Sequence, residues 1–206
     1  MEPKGYFFAV RLTTVLRTDR RTPKFWDHGN FGGSDVQPFY KTKTFNTQPV
    51  ADFIKGETAA GANLSTKTAD YLRDMQKVST NQLVKVFDPK QNESKLNVFG
   101  QQFEQVLGEG GGNKTGTTKV FATEKLSRQE IIDYAQTLAG TVPLKEKRTA
   151  LGTIYVAKKD GMTINLRDFS SSKDETKARW TIDVIGDKSV TDVVGEKVKR
   201  IEIKFR

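Results

Sequence analysis

Three residues near the C-terminus, Asp183, Glu202 and Lys204, follow the Asp…Glu-x-Lys spacing of a metal-dependent nuclease, with gaps of 19 and 2 residues. In that chemistry two carboxylates hold Mg²⁺ and the lysine positions the attacking water. A polar strand meets so short a pattern easily by chance. Arg167, Arg179 and Lys204 give the same stretch a second possible use, since two arginines and a lysine on one surface are what holding a nucleic-acid phosphate requires. The segment Asp168-Phe169-Ser170-Ser171-Ser172 adds hydroxyls and backbone amides that suit a phosphate, although a plain polar loop would read the same way. The only histidine, His28, lies in a Trp-Asp-His-Gly-Asn segment without a partner pattern and reads as a turn residue.

Absences narrow the chemistry further. No cysteine means no disulfide scaffold, no Cys-based zinc site and no thiol nucleophile. One histidine excludes two-histidine ribonucleases, HNH-type nucleases and HExxH metalloproteases. No apolar run is long enough to span a membrane, and the opening residues lack the pattern of a signal peptide. The 206 residues carry 34 Lys and Arg against 25 Asp and Glu, a net charge of +9. Such a surface favours polyanionic partners, nucleic acid first.

Those residues need elements to hold them. Gly108-Glu109-Gly110-Gly111-Gly112-Asn113-Lys114-Thr115-Gly116 reads as a linker, because closely spaced glycines sustain neither a helix nor a packed strand. The expected division is 1–108, a linker over 109–116, and a second domain over 117–206. Residues 115–206 hold 18 basic and 13 acidic residues, a net +5, so the basicity is not confined to one tail.

The N-terminal part reads as mixed and mainly helical. Tyr6 to Val15 suggests a strand, Thr22 to Gln37 a loop, and Thr47 to Lys55 a short helix. Ser65 is placed to cap a helix through Val78, with Ala69, Leu72 and Met75 on one face. Leu96 to Leu107 has Val98, Phe99, Phe103 and Val106 at helical spacing, weakened by Gly100.

The C-terminal part is more regular. Ser127-Arg128-Gln129-Glu130 is a capping box, and Ile131, Ile132, Ala135 and Leu138 then recur at helical spacing up to Gly140. Four alternating runs follow, at 153–157, 162–167, 178–185 and 199–205, the first two joined by the hairpin signal Lys159-Asp160-Gly161. Strand periodicity places Ile154, Val156, Ile164, Leu166, Trp180, Ile182, Val184, Ile201, Ile203 and Phe205 on one face. The other face takes Tyr155, Thr163, Asn165, Arg167, Arg179, Thr181, Asp183, Arg200, Glu202 and Lys204. The expected fold is α+β: an amphipathic helix packed on a four-stranded antiparallel sheet, after a mainly helical N-terminal region. An ordinary solvated sheet face is the plain alternative for the polar side.

Several segments together resemble a known family. They are Lys119-Val120-Phe121-Ala122, Ile131-Ile132-Asp133-Tyr134-Ala135, Leu166-Arg167-Asp168-Phe169-Ser170-Ser171-Ser172, Ala178-Arg179-Trp180-Thr181-Ile182-Asp183 and Ile201-Glu202-Ile203-Lys204-Phe205. Residues 117–206 resemble the C-terminal toxin domains of bacterial polymorphic toxins, of the contact-dependent inhibition and Rhs kinds. The resemblance implies the small ribonuclease fold shared by barnase-like and RelE-like toxins and tRNA-cleaving colicins. By position, residues 1–108 would be a pretoxin segment or one serving passage into the target cell.

The implied activity is a nuclease delivered by the producing bacterium, active in the target cell's cytoplasm and neutralised by a cognate immunity protein. That partner would be acidic where it meets the basic chain. The implied chemistry needs no cofactor: the RNA 2′-hydroxyl attacks the adjacent phosphate, on tRNA or another RNA. Arg167, Arg179 and Lys204 would then clamp phosphate, with Thr181, Asn165, Ser170, Ser171 and Ser172 as substrate contacts. Tyr155, Asp183 or Glu202 would move the proton. Two alternatives stay open: a Mg-dependent nuclease built on Asp183, Glu202 and Lys204, and a non-catalytic basic nucleic-acid-binding module.

Overall fold

In a computed structural model, residues 66–206 other than Asn92 and Glu196 are described. The strand at Tyr6 to Val15, the loop at Thr22 to Gln37, the helix at Thr47 to Lys55, His28 and the cap at Ser65 lie outside the described residues.

Among the described residues, four helices and eight strands follow one another. They are α1 (Thr66–Phe87), β1 (Lys95–Val98), β2 (Gln101–Val106), β3 (Thr118–Phe121), α2 (Arg128–Ala139), β4 (Lys145–Thr149), β5 (Gly152–Lys159), β6 (Met162–Arg167), α3 (Lys173–Thr176), β7 (Trp180–Ile185), α4 (Lys188–Val194) and β8 (Arg200–Phe205). The strands form one sheet in the order β1-β2-β3-β8-β7-β6-β5-β4. Strands β3 and β8 run parallel and every other neighbouring pair is antiparallel.

The expected four-stranded antiparallel sheet is therefore corrected to an eight-stranded mixed sheet. Residues 96–107 form a hairpin rather than a helix. Phe99 and Gly100 both take positive φ, at 50° and 84°, and make the two-residue turn of β1 and β2. The Asn97 side chain accepts from the Gly100 amide at 2.8 Å and fixes that turn. Alternation then buries Leu96, Val98 and Phe103 while their neighbours face out. Strand β4, Lys-Glu-Lys-Arg-Thr, escapes a hydrophobic reading because it has no apolar residue.

Residues 109–116, expected as a linker, lie between two neighbouring strands of this sheet. The glycine-rich segment returns the chain from β2 to β3 within one sheet, pairing Gln105 with Phe121 and Val106 with Val120. Glycine is required there because a Cβ on Gly111 would run into the Val106 carbonyl. Residues on both sides of it, from Leu83 and Phe103 to Ile182 and Phe205, share one core.

Helix α2 begins where the capping box places it. The Ser127 hydroxyl accepts from the Glu130 amide at 3.2 Å, and the Glu130 carboxylate accepts from the Ser127 amide at 2.8 Å. Its Tyr134 ring meets Phe205 edge-on with centroids 6.2 Å apart. Helix α1 is longer than the segment ending at Val78 and packs on α2 through Gln76 to the Leu138 carbonyl and Ser79 to Thr137. Helix α4 adds Val190 to the same core. Trp180, Ile182, Ile164 and Ile203 are all buried together within it.

Candidate functional site

The ladder register decides which side chains share the face opposite these helices. Directly paired residues point the same way across a sheet. One row reads Lys147, Ile154, Arg167, Thr181, Lys204 and Val120. The adjacent row reads Lys145, Val156, Asn165, Asp183, Glu202 and Thr118.

Arg167 is the hub of this surface. Its Nε donates to Asp183 Oδ2 at 3.3 Å, its Nη2 to Glu202 Oε1 at 2.5 Å and its Nη1 to the Phe169 carbonyl at 2.9 Å. Asn165 Nδ2 also donates to Asp183 Oδ2, at 3.0 Å. Asp183 and Glu202 are cross-strand partners, and the guanidinium bridges them. A cation held by this carboxylate pair would have to displace Arg167. Among the described residues no group of three or more His, Cys, Asp or Glu side chains is placed to hold a metal ion.

Lys204 joins the same network from the next strand. Its ammonium lies 3.7 Å from Glu202 Oε2 and donates to Ser170 Oγ at 3.1 Å and to Ser172 Oγ. The serine loop reaches it because Asp168 anchors the loop's start, accepting from the Thr153 amide at 2.7 Å. Lys204 is buried to 5% exposure, so it and Glu202 interact with less solvent screening than a surface pair. Ser171, between Ser170 and Ser172, is exposed.

Thr181 lies between Arg167 and Lys204 in the row, fully buried, and its hydroxyl has no hydrogen-bond partner. Asp183 Oδ1 and Asn165 Oδ1 are buried without hydrogen bonds as well. Arg200 Nε lies 3.9 Å from Asp183 Oδ1.

Two proposed site residues are placed elsewhere. Arg179 precedes β7 and spends its guanidinium on main-chain carbonyls: Nε donates to Arg206 O at 2.7 Å, Nη2 to Thr123 O at 2.7 Å and to Leu126 O at 2.5 Å. It ties the chain end and the approach to α2 together and does not reach the Arg167 cluster. Tyr155 lies on the helix-covered face, paired with Leu166. There its hydroxyl accepts from Arg128 Nη2 at 2.8 Å, and its ring sits 6.3 Å from that of Trp180. Ile154 and Val156 correspondingly take the polar face.

The sequence reading missed Thr118, whose hydroxyl donates to Glu202 Oε2 at 3.2 Å. Its role depends on the parallel pairing of β3 with β8, which joins residues far apart in the chain and leaves no local signal. It also missed Lys119, which points to the helix side over the Phe87 ring at 5.3 Å. Burial, and secondarily Lys114, lowers its pKa to about 8.

No family model matches the chain, and neither a curated protein nor a solved structure matches it.

Proposed function

We propose that this chain is a toxin endoribonuclease that works without a metal ion and uses Glu202, Lys204 and Arg167 as its catalytic group. The observation that carries the reading is Glu202 held between two cations on one sheet face, beside the Ser170 and Ser172 hydroxyls. Glu202 takes the proton of the RNA 2′-hydroxyl as that oxygen bonds to phosphorus. Lys204 gives a proton to the departing 5′-oxygen. Arg167 and Lys204 offset the charge that develops on the phosphorane oxygens. Products are a 2′,3′-cyclic phosphate and a free 5′-hydroxyl. The resemblance of residues 117–206 to polymorphic toxin domains supplies the biological setting. The producing cell is protected by an immunity protein, acidic where it covers this face, and the target is RNA in the recipient's cytoplasm.

The test is incubation of the purified chain with total tRNA, ribosomal RNA and plasmid DNA, each with EDTA or Mg²⁺. The expected result is RNA cleavage in EDTA, cyclic-phosphate ends and intact DNA. Glu202→Gln, which keeps the shape and most hydrogen bonds, should lower the rate about 10²–10⁴-fold, the usual scale of general-base removal. Cleavage abolished by EDTA and restored by Mg²⁺ would replace this mechanism with the metal-dependent one. RNA and DNA left intact in both conditions would favour a binding module.

A further inference from the structure

We infer that Lys145, Lys147 and Lys158 form a second phosphate-binding strip, which leads single-stranded RNA from the β4 edge of the sheet to the Arg167–Glu202–Lys204 cluster. The inference rests on the ribonuclease reading and extends it to substrate residues beyond the cleaved bond.

The register is the first ground. Lys147 occupies the same row as Arg167 and Lys204, and Lys145 the same row as Asp183 and Glu202. Lys158 pairs with Thr163 in the row that ends at Arg200. All three lysines therefore point to the face that carries the cluster. Strand spacing of about 4.8 Å puts β4 roughly 19 Å from β8, long enough for several nucleotides of an extended strand.

Charge is the second ground. The three lysines are exposed, and among the described residues none is ion-paired with a carboxylate. Asp183 and Glu202, by contrast, are already engaged by Arg167, Arg200 and Lys204. The uncompensated positive charge of this face thus lies on the β4–β5 side, away from the reacting group. Half-buried Ile154 and Val156, on the strand that carries Lys158, lie between Lys145 and Lys147 of β4 and the cluster on the same face. They give the sugar or base of a bound nucleotide an apolar floor. The composition of β4 fits this use: a charged edge strand also resists pairing with another sheet.

The experiment measures binding of a fluorescent 2′-O-methyl RNA oligonucleotide by anisotropy across a KCl series. That probe has no 2′-hydroxyl to attack and stays intact. A combined Lys145→Gln, Lys147→Gln, Lys158→Gln variant should flatten the slope of log K against log salt by about 2, at roughly 0.7 per lost single-strand phosphate contact. A control variant, Lys85→Gln, Lys90→Gln, Lys125→Gln, changes net charge equally at exposed positions off this face and should leave the slope as in wild type. Equal loss in both variants, or no loss in the first, overturns the strip.

Cleavage of unmodified RNA is measured alongside. RNA that is cut normally by a variant with an unchanged slope would sink the strip and spare the catalytic reading. A flattened slope in a chain that cuts no RNA would do the reverse.

Discussion

The two faces of the sheet are made by alternate residues of the same strands, yet they are held together in different ways. The helix side is a continuous apolar layer in which Leu166, Ile182, Ile203 and Phe205 are completely buried. The opposite side also buries Thr181, Asp183, Glu202 and Lys204, but as polar and charged groups. The first face gains from every group removed from water. The second must offset desolvation with hydrogen bonds and opposite charges, and leaves three polar atoms of Asn165, Thr181 and Asp183 unmatched. Nothing in the packing of a sheet requires such a face. Its cost is the physical reason to regard it as the working surface.

The largest expected effect is on the apolar side. Trp180→Ala should lower the unfolding free energy by about 3–5 kcal/mol, the range for truncating a core aromatic. Chemical denaturation measures it, and a loss below about 1 kcal/mol would mean that the ring is not a core element. Arg128, whose guanidinium stands 5.7 Å from the indole ring, would lose that contact as well.

Arg167→Met probes the polar side. It leaves Asp183 and Glu202 adjacent, buried and without the cation that bridges them. Removing one member of a buried ionic group typically costs about 3–5 kcal/mol. Much of that loss should return on adding Asp183→Asn and Glu202→Gln, because the stranded charges are then gone. Recovery in the triple variant separates charge balance from simple packing. A triple variant no more stable than Arg167→Met would show that the network's role is steric.

The same contrast explains what the sequence made legible. Helix α2 was readable because its signals are local: a capping box, four apolar residues at helical spacing and a terminal glycine. Strands β6, β7 and β8 kept their expected faces because their apolar residues alternate cleanly. Strand β5 did not, since Ile154, Tyr155, Val156 and Ala157 are apolar on both faces and periodicity cannot rank them. The turn ranks them. Asp160 and Gly161, both at positive φ, close a two-residue hairpin that pairs Lys159 with Met162 and hence Tyr155 with Leu166. The cluster of Arg167, Asp183, Glu202 and Lys204 followed from alternation alone. The diversion of Arg179 to main-chain carbonyls did not, because it depends on where Thr123 and Leu126 pass in space.

Tyr134 offers the smallest test and the one that treats the apolar face as an exception to its own rule. Its ring packs against Phe205 in the core, but its hydroxyl is buried without a hydrogen-bond partner. Burial also raises its pKa well above the ordinary tyrosine value, which keeps the group neutral at any physiological pH. A buried hydroxyl without a partner loses its bonds to water and gains none in return. Tyr134→Phe removes that oxygen and preserves the ring. The variant should therefore be more stable than wild type by about 1 kcal/mol, at the low end of the cost of an unsatisfied buried polar group. At that size the gain should shift the thermal midpoint upward by about 2–4 °C for a domain of this length. The proposed cleavage activity should not change, because α2 lies on the side of the sheet away from Glu202 and Lys204. A stability loss of similar size would show instead that solvent reaches the hydroxyl, and that the apolar layer carries a polar entry beneath α2.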